Sequence, residues 1–312
     1  MPLNGILNIN KPPDETSFAL VKQTRRLANE KRVGHMGTLD PFAEGVLPIF
    51  LGKSTRIISY LEATAKKYQA SIELGVTTDT FDKTGTIIKR RDPSKISFSQ
   101  VTDSLTQFTG NINQIPPMYS AVHHNGKRLY EYARQGKVVE RATREITIYG
   151  IDLLNWEANQ ISLEITCGKG TYVRTIAHDL GEVLGCGATI QTLIRTQNGP
   201  FVHQDTQTME EVTQNFQRQQ RTTTEAIDYP LQSLPALYTS EKGQKLIGDG
   251  RPISGTEILR LEQPSVKESL FWPSGKNNLA RCYGPTNQFI ATLQHEEDLW
   301  KPDKVLFSNS TT

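Results

Sequence analysis

Between residues 34 and 45 the chain sets Gly34, Gly37, Thr38, Asp40, Pro41 and Gly45 in a run that neither helix nor strand can absorb. Pro41 fixes its own φ and lacks a backbone donor, and each glycine opens conformations closed to other residues. A helical pattern precedes this run and an apolar stretch, 46–51, follows it. The segment therefore reads as an ordered loop between two core elements, with Asp40 on a rigid platform. A carboxylate held that way can serve as nucleophile or base. Local composition alone favours a plainer reading, in which Asp-Pro simply starts a turn.

The patterning around the loop sets the fold class. Residues 5–9 form a short apolar run ended by Lys11-Pro12-Pro13, as expected of a strand entering a turn. Thr16 or Ser17 then caps a helix whose inward face is Leu20, Val21, Thr24, Leu27 and Ala28. Alternation at Tyr68, Ala70, Ile72 and Leu74 predicts a half-buried strand, broken over 77–85 by aspartates and a glycine. Two more strands are expected at 146–154 and 161–167. After Gly168-Lys169-Gly170-Thr171 comes a helix carrying Tyr172, Val173, Ile176, Ala177, Leu180 and Val183, stopped by Gly185. Strands and helices mix without a regular βαβ repeat, so the class is α+β.

The 312 residues suffice for one large domain and a smaller one. Residues 223–235, poor in apolar side chains and ending in Pro230 and Pro235, are the linker candidate, placing the domains at 1–230 and 231–312. Strand-like runs at 257–261, 279–283, 289–293 and 305–307 make the second domain small and β-rich. From 231 onward nine Lys/Arg stand against nine acids, so the net charge of +2 resides in the first domain. Cys167, Cys186 and Cys282 are widely spaced with no C-x-x-C, which points to buried thiols and to no metal site. The start of the chain has no basic stretch followed by a long apolar run, and no segment approaches the roughly 18 apolar residues of a membrane helix. A cytoplasmic protein with no membrane partner is expected.

The longer pattern changes the weight on Asp40. Gly34-His35-Met36-Gly37-Thr38-Leu39-Asp40-Pro41-Phe42-Ala43-Glu44-Gly45-Val46-Leu47 resembles the catalytic motif of the TruB family of pseudouridine synthases, GHxGTLDPxAxGVL. Asn10-Lys11-Pro12-Pro13-Asp14-Glu15-Thr16-Ser17 is similar to the family's KPxGxTS segment, with Asp14 where glycine is usual. Pro116-Pro117-Met118-Tyr119-Ser120-Ala121 and Gly126-Lys127-Arg128-Leu129-Tyr130-Glu131-Tyr132-Ala133-Arg134 resemble its PPxYSA…GxRxYExAR block. Cys167-Gly168-Lys169-Gly170-Thr171-Tyr172-Val173-Arg174-Thr175 resembles CxKGTYxRT, and Leu193-Ile194-Arg195-Thr196 through Gly199-Pro200-Phe201 completes the set. The blocks cover most of 5–201.

The resemblance implies a pseudouridine synthase fold, with a central mixed, mainly antiparallel sheet flanked by helices and loops. It also implies a PUA-like C-terminal domain, on the weaker matches Leu234-Pro235-Ala236-Leu237, Gly248-Asp249-Gly250-Arg251-Pro252 and Leu299-Trp300-Lys301-Pro302. The implied activity is isomerisation of the uridine at position 55 in the T loop of tRNA, with Asp40 as the catalytic carboxylate and neither cofactor nor metal. Adding to the ribose, attacking uracil C6 and removing the 2′ proton are the routes discussed for such an Asp. All three need it ionised, and Arg174 is the implied cation. By itself Arg174 is a surface cation at a helix start, where the macrodipole mildly disfavours it.

Tyr68 is implied to stack on the flipped uracil and Leu193 to pack its other side; by pattern alone both are core. Tyr172 and Lys11 are implied to line the site, Lys11 with a structural role as its plainer reading. His35 is implied to fill the vacated base stack, against a loop histidine bonding the backbone. Asp82 is implied to contact RNA or support its loop, against a solvated turn. Over 121–150, Lys127, Arg128, Arg134, Lys137, Arg141 and Arg144 exceed Glu131, Glu140 and Glu145 by three, with aromatics interleaved. That suits an insertion, about 121–145, gripping the T arm, although such charge runs are usually solvated faces. The partner is then tRNA alone, and the protein a monomer. Two other readings stand beside this one: a tRNA-folding factor using the same surface, and a relative of the H/ACA class that receives its target through a guide RNA. The bacterial-type short C-terminus and the gripping insertion argue against the latter.

Overall fold

The computed structural model describes residues 3–218, 225–274 and 278–307. The chain divides into two compact units, one of Met1–Asp40, Val46–Thr64 and Asn198–Thr312, the other of Pro41–Gly45 and Ala65–Gln197. Each mixes helices and strands, as expected of α+β.

In the first unit the strand Gly5–Lys11 lies beside Glu44–Leu51, which pairs on its other edge with Val33–His35 in antiparallel register, Gly34 opposite Phe50. The helix Ser17–Ala28 starts where the sequence places it. The Thr16 hydroxyl accepts the Ala19 N–H at 3.1 Å, and Asn29 closes the other end in the left-handed region. Leu20, Val21, Thr24 and Ala28 are buried as anticipated. Ile6, Met36, Val46, Phe50, Ile57 and Leu61 share one core with Phe201, Leu231, Leu234, Leu279 and Leu306. The same unit holds a five-stranded sheet in the order Ile258–Glu262, Ala236–Thr239, Leu279–Tyr283, Phe289–Glu296, Leu299–Val305. Leu237, Ile247, Ile253, Ala280, Ile290 and Leu293 form a second core against it.

The expected linker is a packed segment. Glu225 and Ile6 exchange backbone hydrogen bonds of 3.0 and 3.1 Å, and Leu231 and Leu234 are fully buried. Apolar residues are few here, but Ile227, Tyr229, Leu231 and Leu234 all pack into the core. Residues 223–224 of that stretch lie outside the described residues. The expected boundary at 230/231 thus falls within the first unit. The last strand also differs, running Leu299–Val305 rather than 305–307. Pro302 sits inside it without breaking a ladder because this is an edge strand.

In the second unit the strand order is Ala188–Asn198, Lys66–Leu74, Gln160–Cys167, Arg144–Glu157, Gly110–Gln114, and the last three pairings are antiparallel. Alternating burial along Lys66–Leu74 follows the sequence pattern, with Tyr68, Ala70, Ile72 and Leu74 inward. The patterning above assigns no strand to 188–198. Glu44 and Gly45 pair in parallel with Ile194 and Arg195, and Gly45 has a φ of 104°. A Cβ there would stand 2.3 Å from the Arg195 carbonyl oxygen. Gly45→Ala is therefore expected to destabilise the protein by at least about 2 kcal/mol, read as a lower denaturant midpoint at unchanged slope.

Candidate active site

Asp40 closes an irregular loop whose backbone is tied at two points within the first unit. The Ser17 hydroxyl accepts the Leu39 N–H at 2.9 Å and donates to the Leu39 carbonyl at 3.2 Å, so one buried side chain grips both polar groups of the preceding residue. Earlier in the loop, Met36 donates its N–H to the Pro48 carbonyl at 3.0 Å and accepts from the Asn198 amide at 2.7 Å. Between these ties Gly37 takes a φ of 75°. Asp40 is half-buried.

Lys11 has no exposed surface. Its ammonium donates to the carbonyls of Pro12 and Glu15, both at 2.7 Å, and so shapes the turn from the first strand into the helix that carries Ser17. Within that turn Asp14 has a φ of 65°, which explains why glycine is usual there. Asp is among the few side chains that tolerate this region. His35 ends the strand Val33–His35, half-buried, with its backbone paired to Ile49.

The remaining residues belong to the second unit. Tyr68 is buried on Lys66–Leu74 opposite Ile165, and Leu193 is buried on the neighbouring strand Ala188–Asn198. Arg174 lies in the first turn of the helix Val173–Val183. Its Nη1 donates to the Thr80 carbonyl at 3.0 Å and to Asp82 Oδ2 at 3.2 Å, and its Nη2 donates to the Tyr119 carbonyl at 2.9 Å. Only 4% of either side chain in this ion pair is exposed. The other carboxylate oxygen of Asp82 accepts from the Thr80 hydroxyl at 2.8 Å, and from the Thr84 N–H and hydroxyl at 3.0 and 2.5 Å. Burying two charges is tolerable when they pair and the remaining acceptors are filled in this way. Asp82 supports its loop and orients Arg174, with its carboxylate turned away from solvent.

Tyr172 caps the same helix. Its N–H donates to the Gln114 side-chain oxygen at 2.8 Å and its carbonyl accepts the Gln114 amide at 3.0 Å. Gln114, buried at the end of Gly110–Gln114, was not singled out by the sequence; its place just before Ile115-Pro116-Pro117 is the only local hint. Burial pushes the Cys167 thiol up to about 11, as for an inert core cysteine, and all three cysteines are free and buried. Among the described residues no group of three or more His, Cys, Asp or Glu is placed to hold a metal ion.

Lys127 and Arg128 form one arm of a small hairpin, paired with His124 and His123. Asn125 and Gly126, both at positive φ, make its turn. The Asn-Gly pair is itself a hairpin signal in the sequence. Arg134 lies 5.3 Å over the Tyr130 ring. Leu129 is buried beneath, whereas Lys127, Arg128 and Arg134 are exposed. The structure thus pairs Arg174 with Asp82, holds the backbone of Tyr172 two residues before Arg174, and sets Tyr68 and Leu193 on adjacent strands, while Lys127 and Arg128 stand on the hairpin and Arg134 just past the short helix after it.

Residues 25–173 match the family described as TruB family pseudouridylate synthase (N-terminal domain), and 174–237 match the tRNA pseudouridylate synthase B C-terminal domain. A tRNA pseudouridine synthase B of Dehalococcoides mccartyi is 42% identical over 309 residues, covering 98% of this chain and 97% of that protein. Another, of Clostridium perfringens, is 38% identical over 305 residues, covering 97% and 99%. Among solved structures, a chain of a Cbf5–Nop10–Gar1 complex superposes with a TM-score of 0.70 at 22% identity, covering 97% of this chain and 85% of that one. An H/ACA RNP bound to a substrate RNA containing 2′-deoxyuridine gives 0.71 at 20%, covering 98% and 86%. These two likenesses establish the shared fold.

Replacing Asp82 by Ala breaks a buried ion pair of the Arg174 guanidinium. The expected loss is about 3–5 kcal/mol of folding stability, measurable by equilibrium denaturation; a loss under about 1 kcal/mol would show that the pair is dispensable.

Proposed function

The chain belongs to the TruB family of pseudouridylate synthases, and on that footing we propose that it converts the uridine at position 55 in the T loop of tRNA to pseudouridine. The observation that carries this reading is the Ser17 grip on Leu39, which fixes the backbone immediately before Asp40 in the family's catalytic motif. In the reaction the N1–C1′ bond breaks, the uracil turns, and C5 bonds to C1′. The C5 proton leaves to solvent and N1 gains one. Nothing is oxidised or reduced, so the chemistry calls for no cofactor.

Asp40 acts ionised, and Arg174, already oriented by Asp82, is the cation that keeps it so. Tyr68 stacks on the everted base, Leu193 packs its other side and Tyr172 lines the site. His35 takes up the gap left in the loop stack. Extruding the base costs a few kcal/mol, which these contacts offset. Lys11 serves by shaping the turn beneath the helix that holds Ser17. Lys127, Arg128 and Arg134 contact phosphates of the T arm, and the PUA-like sheet adds a further tRNA contact. The protein works as a monomer in the cytoplasm; among the described residues no helix is long and apolar enough to cross a membrane.

With free tRNA transcript labelled at uridine C5, Asp40→Asn should lower tritium release by on the order of a thousandfold or more while tRNA affinity stays within about threefold. An Asn variant at full speed would sink the assignment. Retained binding together with a retained effect on tRNA folding would instead favour the folding-factor reading, and a wild type inactive without a guide RNA would favour the H/ACA-like one. Replacing Lys127 and Arg128 by Ala should weaken tRNA binding across sequences and flatten the log–log salt slope by about one unit for each phosphate no longer neutralised. An unchanged slope would count against the gripping role.

A further inference from the structure

Arg174 and His178 stand four residues apart on the helix Val173–Val183 and so share a face. Both meet the 80–84 loop. Arg174 takes the Thr80 carbonyl and the Asp82 carboxylate. His178 lies flat on Phe81, with ring centroids 3.8 Å apart and planes within 10°. Phe81 has a φ of 64°, in the left-handed region that a bulky side chain rarely occupies. Such a conformation persists only where the surroundings over-determine it. Here they do. The Phe81 carbonyl accepts the Ile190 N–H at 3.2 Å and the Lys83 N–H donates to the Ile190 carbonyl at 2.8 Å, so the strand Ala188–Asn198 fixes the backbone on both sides of Asp82. The ring of His178 fixes the side chain of Phe81 on the other face.

The chemistry of His178 fits stacking rather than titration. Its Nδ1 is buried and has no hydrogen-bond partner among the described residues. Burial pushes its pKa down against the opposing pull of Glu182 on the same helix. A neutral imidazole used for its face is what remains.

We infer that Phe81 and His178 form a stacked positioning pair that sets Asp82, and through it the Arg174 guanidinium, in the place the isomerisation needs. The inference rests on the reading of Arg174 as the cation facing Asp40. Neither residue touches the base; both act through Asp82. A ring stack that merely filled space would affect the folded fraction and leave the rate of each folded molecule alone.

The test uses the full chain and unmodified tRNA, with single-turnover tritium release for the rate, filter binding for affinity and thermal melting for the folded state. Phe81→Gly removes the ring while accepting the same backbone angle, and His178→Ala removes the other ring. Each should slow the single-turnover rate at least about tenfold with tRNA affinity within about threefold, as small misplacements of a catalytic group do. His178→Phe and Phe81→Tyr, which restore a stack, should recover most of the loss. In an Asp82→Asn background, Phe81→Gly should add little, because both act on the same guanidinium. Full rate per folded molecule in both ring-removal variants would overturn the inference, as would losses that multiply in full with Asp82→Asn. Should Phe81→Gly fail to fold, His178→Ala and His178→Phe decide alone. Asp40→Asn, run alongside, separates the failures: a fully active Asn variant sinks the proposed function, whereas an inactive one beside fast ring-removal variants sinks only the positioning pair.

Discussion

A guanidinium shut away from water needs a fixed set of acceptors, and much of the second unit is arranged to supply Arg174 with them. Asp82 provides the counter-charge and Thr80, from the same loop, a carbonyl, while Tyr119 provides a second carbonyl from another part of the chain. Thr80 and Thr84 in turn occupy the second oxygen of Asp82, so neither partner of the pair can turn without breaking several bonds. In a low-dielectric setting a half-satisfied network of this kind would be worse than an apolar core. The helix start, the 80–84 loop and the segment at Tyr119 are therefore constrained as one object. Gln114 extends the same logic to Tyr172, gripping the backbone at the residue where the helix begins.

The first unit solves a different problem with neutral groups. The backbone just ahead of Asp40 is held still, because a single serine hydroxyl meets both polar groups of Leu39. Ser17 can do so because Thr16 caps the helix, which leaves the next residue facing the core. Lys11 holds the approach to that helix from beneath. Two buried cations, Lys11 in the first unit and Arg174 in the second, are thus used as multi-donor braces for carbonyls. Long side chains suit this use, since one terminal group can reach several acceptors across a turn.

What the sequence disclosed follows the range over which each interaction acts. The loop ahead of Asp40 was legible because Gly37, Pro41 and Gly45 restrict their own backbones. Tyr68 announced its burial through two-residue alternation, and Thr16 its cap through its place before an amphipathic run. The partner of Arg174 was not legible, because Asp82 lies 92 residues away and the two meet only after folding. Gln114, 58 residues from Tyr172, left no signal for the same reason. Composition does not show how the stretch ending at Pro235 packs: Ile227, Tyr229, Leu231 and Leu234 are few, yet each packs into the core. Pro302 concealed a strand, since only the sheet order shows that its missing donor faces no neighbour.

The division of the chain has a bearing on how the protein is made. The second unit is nearly continuous, 65–197, so its sheet can close while the ribosome is still at work. The first unit cannot. Ile6, Phe50 and Leu61 leave the exit tunnel early, yet Phe201, Leu231 and Leu306, which cover them, come last. At ordinary translation rates those early apolar side chains wait on the order of ten seconds for their partners. During that interval the nascent chain is a natural client for holding chaperones, and stalling near residue 200 would expose it longest.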